Sequence, residues 1–131
     1  MSTPVGNRDD MISGMNPDLR PGVFAFAHLP SGSVIPAEAI GSFDETEGVS
    51  LILPLEVAPA GSQPMRCITL KIHSALDGVG LTAAVSNALA EVDIPANVVA
   101  AFHHDHVFVP ADLAERALEA LRILQRAHGD D

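Results

Sequence analysis

The stretch that decides the predicted fold spans residues 65–110 and reads MRCITLKIHSALDGVGLTAAVSNALAEVDIPANVVAAFHHDHVFVP. Apolar and polar residues alternate over 66–73, which is the period of a half-buried β-strand. A glycine turn follows at 77–80, and apolar residues then recur at helical spacing until Pro95, which lacks the N–H that a helix interior requires. Two further strands lie within 97–109, on either side of a polar turn. The stretch therefore predicts a β-α-β-β unit.

The flanking sequence predicts further strands and helices around this unit. They are, in chain order, a short helix within 8–15, a strand over 23–29, a hairpin with strands at 40–44 and 49–53, and a long helix that begins at Pro110. This order is typical of an α+β protein whose helices cover one face of a mainly antiparallel sheet. We expect an N-terminal half at 8–62 and a C-terminal half at 63–129. Because a β-α-β-β-α unit lacks the fourth strand of a ferredoxin-like fold, we expect an N-terminal strand to supply it.

The composition excludes several classes of function. The chain of 131 residues has 17 acidic and 7 basic side chains and a formal net charge of −10, so most of its surface would repel nucleic acid and anionic membranes. It contains neither tryptophan nor tyrosine on which bases could stack. Cys67 is the only cysteine, which excludes an internal disulfide and a thiolate metal cluster. No apolar run approaches the roughly 20 residues that span a bilayer, so we expect a cytoplasmic protein.

Several short motifs resemble those of ACT domains. They are DGVGL at 77–81, between a strand and an amphipathic helix, and MNPDL at 15–19, EGVSL at 47–51, NVVA at 97–100 and HDHVFVP at 104–110. In this order and spacing they are similar to small bacterial proteins that carry two ACT-like halves. The resemblance implies tandem ferredoxin-like halves of the βαββαβ type. It also extends to the regulatory part of aspartate kinases and to the arginine sensors of animal cells.

In that family a small ligand, usually an amino acid, binds at an interface between ACT units. The resemblance implies a site formed by the turn after the first strand and by side chains of a facing strand. Carried over to this chain, the site comprises Asp77, Gly78, Val79, Gly80, Leu81, Thr82, His103, His104 and Asp105. The resemblance does not imply which amino acid binds, because residues 93–96 interrupt the family pattern before Asn97 and because Asp44 stands where a basic residue is expected.

Elementary chemistry is compatible with such a site. The carboxylate of an amino acid needs N–H donors, and a glycine turn at a helix N-terminus offers them together with the helix dipole. Asp77 or Asp105 could receive the ammonium group. The alternative interpretation is that Gly78 and Gly80 only form the turn and that Asp77 only caps the helix.

The histidine-rich turn at 103–106 allows three interpretations. Imidazole and carboxylate groups bind zinc or nickel, but in a strand His104 and His106 would share one face while His103 and Asp105 take the other. The turn could instead line a ligand pocket, or it could be a plain surface turn. No nucleophile or acid–base motif predicts catalysis.

The leading hypothesis is a non-catalytic module that binds a small ligand, an amino acid by expectation, needs no cofactor and acts as a homodimer. Dimerisation is expected because a small open sheet leaves strand edges that must be covered or paired. The alternatives are an interaction module of the same shape without a ligand and a metal-binding protein.

Overall fold

The computed structural model describes residues 4–73 and 75–129. Its helices are α1 (Arg8–Ser13), α2 (Leu81–Glu91) and α3 (Ala114–His128), and its strands are β1 (Pro17–Leu19), β2 (Phe24–Leu29), β3 (Gly41–Glu45), β4 (Gly48–Pro54), β5 (Met65–Leu70), β6 (Asn97–Ala100) and β7 (Asp105–Pro110). Single 3₁₀ turns at Leu55–Val57 and Ala111–Leu113 follow β4 and β7. The long helix predicted to begin at Pro110 therefore opens with a 3₁₀ turn and enters its α-helical part at Ala114.

All seven strands form one antiparallel sheet in the order β3-β4-β2-β5-β7-β6, with β1 also paired to β5. Strands β1 and β2 lie one after the other along the same edge of β5. Pro17 is opposite Leu70 and Phe24 is opposite Met65, and between these pairs the Arg20 N–H donates to the carbonyl of Cys67 at 2.8 Å. The first half of the chain therefore supplies the strand that the second half lacks, as the sequence predicts.

The three helices pack on one face of this sheet, over β5 and β7. Met11 and Ile12 of α1, Val85 and Leu89 of α2, and Leu121 of α3 are almost fully buried there. Ile68, Leu70, Val107 and Val109 provide the sheet side of this core. The ferredoxin-like α+β architecture with helices on one face is confirmed.

The prediction that β5 is half-buried is wrong. Residues 67–70 are all buried, including Cys67 at 0% and Thr69 at 8% exposure. The second face of β5 is covered because Phe24, Ile52 and Phe108, from β2, β4 and β7, form an apolar cluster with Cys67 and Met65. This cluster lies opposite the helices and makes the curled sheet apolar on both faces at its centre.

The sequence analysis missed strand β1. Proline disfavours strand interiors, but Pro17 is the first residue of an outer strand, where a missing N–H costs no ladder hydrogen bond. Asn16 precedes it with a φ of +43°, which redirects the chain from α1 into the sheet. β5 is also shorter than predicted and ends at Leu70, after which the Lys71 N–H donates to the carbonyl of Met15 at 2.6 Å.

Candidate functional site

The glycine turn leads directly into α2. Gly80 is the N-cap residue with a φ of +112°, which favours glycine, and no side chain caps the helix. Asp77 therefore does not cap α2. The first turn of α2 contains no acidic residue, so its N–H groups and the positive end of its dipole are left without an anionic partner among the described residues. This helix end can accept an anion.

Arg8 lies against this turn. A Cβ built on Gly80 would be 2.7 Å from Cδ of Arg8, so the first residue of α1 packs on the cap of α2. The segment that leads into α1 is hydrogen-bonded to the chain just before the glycine turn. The Val5 N–H donates to the carbonyl of His73, and the Val5 carbonyl accepts from the Ala75 N–H, both at 2.8 Å. The guanidinium is 3.4 Å from the carboxylate of Asp9 and half-exposed. A cation thus stands beside the uncapped helix end.

The residues of the predicted glycine turn differ in their exposure and in whether their backbone N–H groups are free for a ligand. Asp77, Val79 and Thr82 are exposed, whereas the side chain of Leu81 is in the core and leaves only its backbone to a ligand. The N–H of Gly78 is used within the turn, where it donates to the carbonyl of Ala75 at 3.0 Å. A Cβ on Gly78 would be 3.0 Å from the sulfur of Met11, so this glycine permits α1 to pack closely.

The histidine-rich turn connects β6 and β7 beside the end of β5. The ring of His73, just after β5, is 5.5 Å from the ring of His103, and Phe102 packs edge-on against His103 at 4.9 Å. The Ala101 N–H donates to the carbonyl of His104 at 3.1 Å and closes the turn. The glycine turn and the histidine turn thus lie at the same end of the sheet, because His73 precedes the glycine turn by four residues in the chain and its ring contacts the histidine turn.

Burial shifts the pKa values of His104, Asp105 and His106 in this turn. It lowers the pKa of His104 and of His106 below the ordinary value, and nearby positive charges, Lys71 for the first and Arg20 for the second, lower both further. Burial also raises the pKa of Asp105. Nδ1 of His106 is 2.9 Å from Oγ1 of Thr69, which fixes the ring and leaves Nε2 for other partners. Neutral imidazoles at pH 7 are hydrogen-bonding groups rather than cations.

The ring of His104 lies between those of its two neighbouring histidines. Its centroid is 6.4 Å from that of His103 and 6.4 Å from that of His106, while Asp105 is paired with Leu70, whose side chain belongs to the helix-side core. Within residues 4–73 and 75–129, no group of three or more His, Cys, Asp or Glu side chains is arranged to hold a metal ion.

A cavity of about 310 Å³ lies on the sheet face opposite the helices, away from the glycine turn but bordered by Ala101 and His106 at the histidine turn. We call it the open-face groove. Its walls are Arg20, Phe26, Ile40, Gly41, Ser42, Phe43, Ser50, Leu51, Ile52, Val99, Ala101, His106 and Phe108. The sequence analysis did not predict this groove. None of the described helices is both long and apolar enough to cross a membrane.

Comparison with known proteins agrees with this architecture. Two models of the ACT domain match the chain, one over residues 6–65 and the other over residues 63–122. A solved structure from Vibrio cholerae, of a protein of unknown function described as a possible transport protein, is 38% identical, covers 85% of this chain and 89% of that chain, and superposes with a TM-score of 0.76. Comparison with curated proteins gives no match.

More distant structures share the fold. A protein from Agrobacterium tumefaciens is 20% identical, covers 94% of this chain and 91% of its own, and has a TM-score of 0.68. The regulatory subunit of aspartate kinase from Thermus thermophilus is 10% identical, covers 85% of this chain and 97% of its own, and has a TM-score of 0.60. The fold is that of a tandem α+β protein built from two ferredoxin-like halves. The chain belongs to the ACT-domain family and carries two ACT domains in tandem.

Proposed function

We propose that this protein is a non-catalytic regulatory module that binds an amino acid at the glycine turn. The observation that carries the proposal is the uncapped N-terminus of α2 with the Arg8 side chain packed against its cap residue, Gly80. The likeness in fold to the regulatory subunit of an aspartate kinase supports a regulatory role.

Each part of an amino acid has a partner at this end of the sheet. The N–H groups from Val79 to Thr82 and the guanidinium of Arg8 would receive the carboxylate. Asp77, which is exposed, or Asp105, which is half-buried, would receive the ammonium group. His103 and His104 would line the side-chain pocket, and Gly78 would keep the turn close to α1.

The protein is proposed to act as a cytoplasmic homodimer without a cofactor, with halves at 8–62 and 63–129. The strands at the two ends of the sheet order are β3 and β6. β3 carries Asp44 and Glu45, whose like charges would meet across a twofold axis, whereas β6 is uncharged. We therefore place the dimer contact at β6, where an antiparallel partner strand would extend the sheet.

A thermal-shift screen against the twenty amino acids tests the proposal. A ligand at about 100 times its dissociation constant adds about 2.7 kcal/mol to the free energy of unfolding and raises the midpoint by several degrees. The shift should disappear in Gly80→Leu but persist in Gly61→Leu, a matched control with a φ of +85° and open space around its Cβ. No shift with any amino acid would favour an interaction module without a ligand.

A further inference from the structure

The open-face groove has the dimensions and walls of a small-molecule site. Its volume of about 310 Å³ is near the lower end of the range for such sites. Phe26 and Phe108 form one wall, with ring centroids 5.2 Å apart and planes at 79°. Phe43 also lines the groove and is 72% exposed, although burying a large apolar side chain is favourable. The apolar part of a ligand would cover these rings.

The polar lining of the groove includes two groups that bind anions. The guanidinium carbon of Arg20 is 5.5 Å from the ring centre of Phe24, which fixes the half-buried side chain beside the apolar cluster. Arg20 forms no salt bridge with any carboxylate in the described part of the chain. His106 contributes a ring whose Nδ1 is engaged by Thr69, so Nε2 is the nitrogen that remains for a ligand.

The charge of the groove contrasts with that of the whole chain. None of its lining residues is acidic, in a chain of net charge −10. The hydroxyl of Ser50 is bonded to the carboxylate of Glu45, which is not part of the lining. A carboxylate would find the Arg20 charge here, whereas an ammonium group would find no acid among the lining residues.

We propose that the open-face groove binds a small monocarboxylate with an aromatic or similarly bulky apolar tail and without an ammonium group. The carboxylate pairs with Arg20 and accepts a hydrogen bond from the Nε2–H of His106, in the tautomer whose Nδ1 accepts from the Thr69 hydroxyl, and the tail lies between Phe26, Phe43 and Phe108. This site is separate from the glycine turn, since no residue from 77 to 82 lines the groove. The two sites therefore select ligands by the presence or absence of an amino group.

Isothermal titration calorimetry with 3-phenylpropionate, phenylalanine and 2-phenylethylamine tests this selectivity. We expect 3-phenylpropionate to bind at least tenfold more tightly than either comparator. Binding should be weakened at least tenfold in Arg20→Gln and unaffected in Arg122→Gln, which removes an exposed arginine outside the groove. Absence of binding, or equal binding of the amine, would overturn the proposal.

A second variant keeps the test valid if Arg20→Gln fails to fold. Phe43→Glu places a carboxylate at an exposed position of the groove and should abolish binding by repulsion, whereas Val34→Glu, at a position 89% exposed and outside the groove, should not. Gly80→Leu should leave the binding of 3-phenylpropionate intact, which separates this site from the proposed amino-acid site. Loss of binding in Gly80→Leu with retention in Phe43→Glu would place the ligand at the glycine turn and overturn the assignment.

Discussion

Arg8 packs on Gly80, such that a Cβ added to the glycine would lie 2.7 Å from Cδ of the arginine. The two residues are far apart in sequence, and their contact brings a positive charge to the uncapped N-terminus of α2. Helix N-termini carry a partial positive charge that favours anions. Under the proposed function, the contact adds a second positive group to the turn between β5 and α2 for the carboxylate of a ligand.

Removing this charge should weaken the proposed amino-acid site. Arg8→Gln keeps much of the aliphatic chain that packs on Gly80 but loses a charge-assisted hydrogen bond, worth about 1.5–3 kcal/mol or roughly 10–150-fold in affinity. Calorimetric titration with the amino acid identified in the thermal-shift screen measures the loss. Arg122→Gln removes the same charge from an exposed position of α3 and serves as the control. Equal affinities for Arg8→Gln and the unsubstituted protein would exclude Arg8 from the site.

Gly48 should be the most sensitive glycine of the first half. Its φ is +141°, and a Cβ would lie 2.5 Å from the carbonyl oxygen of Leu29 and 2.5 Å from Nε2 of His28. Because backbone cannot move aside as a side chain can, Gly48→Ala should lower the free energy of unfolding by more than the about 1–2 kcal/mol of left-handed strain alone. Gly61→Ala has a similar strain without a clash and provides the comparison in urea denaturation. Similar losses in both variants would refute the role assigned to the contact with Leu29.

Phe108 should carry much of the stability of the second apolar cluster. It is 2% exposed and packs edge-on against Phe24 and Phe26, at 6.4 and 5.2 Å. Phe108→Ala should cost about 3–5 kcal/mol in chemical denaturation. Phe102→Ala, at a position 68% exposed, should cost far less. A loss below about 1 kcal/mol for Phe108→Ala would mean that the stability of the fold does not depend on the apolar cluster that covers this face of β5.

Acidification from pH 7.5 to 5.5 should destabilise the fold through the histidine turn. The pKa values of His104 and His106 are lowered on folding, so the unfolded chain binds more protons below its ordinary histidine pKa of about 6.5. Their contribution is thus complete above about pH 6.5 and is lost as the pH falls through the folded-state values. The pKa of Asp105 is raised, so its contribution has the opposite sign, being present at low pH and lost as the pH rises.

Urea midpoints at the two pH values measure this dependence. The double variant His104→Gln, His106→Gln should flatten it, whereas the control His28→Gln, which replaces an exposed histidine of β2 outside this turn, should not. Asp105→Asn removes the carboxyl group whose contribution to the pH dependence has the opposite sign, so that this contribution can be measured separately. A pH dependence that survives the double variant unchanged would locate the titrating groups elsewhere.

The order of elements could be predicted because the deciding patterns are local. Alternation in β5, the helical spacing in α2 and the polar turn after β6 each lie within one short segment. Burial of β5 on both faces was missed because the cover comes from Phe24 and Phe108, about 40 residues away on either side in the chain. A strand with alternating polarity does not reveal that its Cys67 and Thr69 will meet an apolar cluster.

The candidate site was predictable in part for the same reason. The motif DGVGL predicts the glycine turn without any other information, and the resemblance to ACT domains implies which residues face it. Arg8 carries no local signal, since an arginine at the start of a short helix is ordinary and its contact with Gly80 depends on how α1 packs on α2. The open-face groove has lining residues in several distant segments, and only the curvature of the sheet brings them together.

The most direct test of the amino-acid site is a ¹H–¹⁵N NMR titration of the uniformly labelled protein with each amino acid at millimolar concentration. The proposed site predicts that one amino acid shifts the backbone amides from Val79 to Thr82 together with the Nε–H of Arg8, and that Gly61→Leu preserves these shifts while Gly80→Leu removes them. If no amino acid shifts the amides of the turn, or if the shifts are confined to residues of the open-face groove such as Phe43 and Val99, the glycine turn is not the amino-acid site.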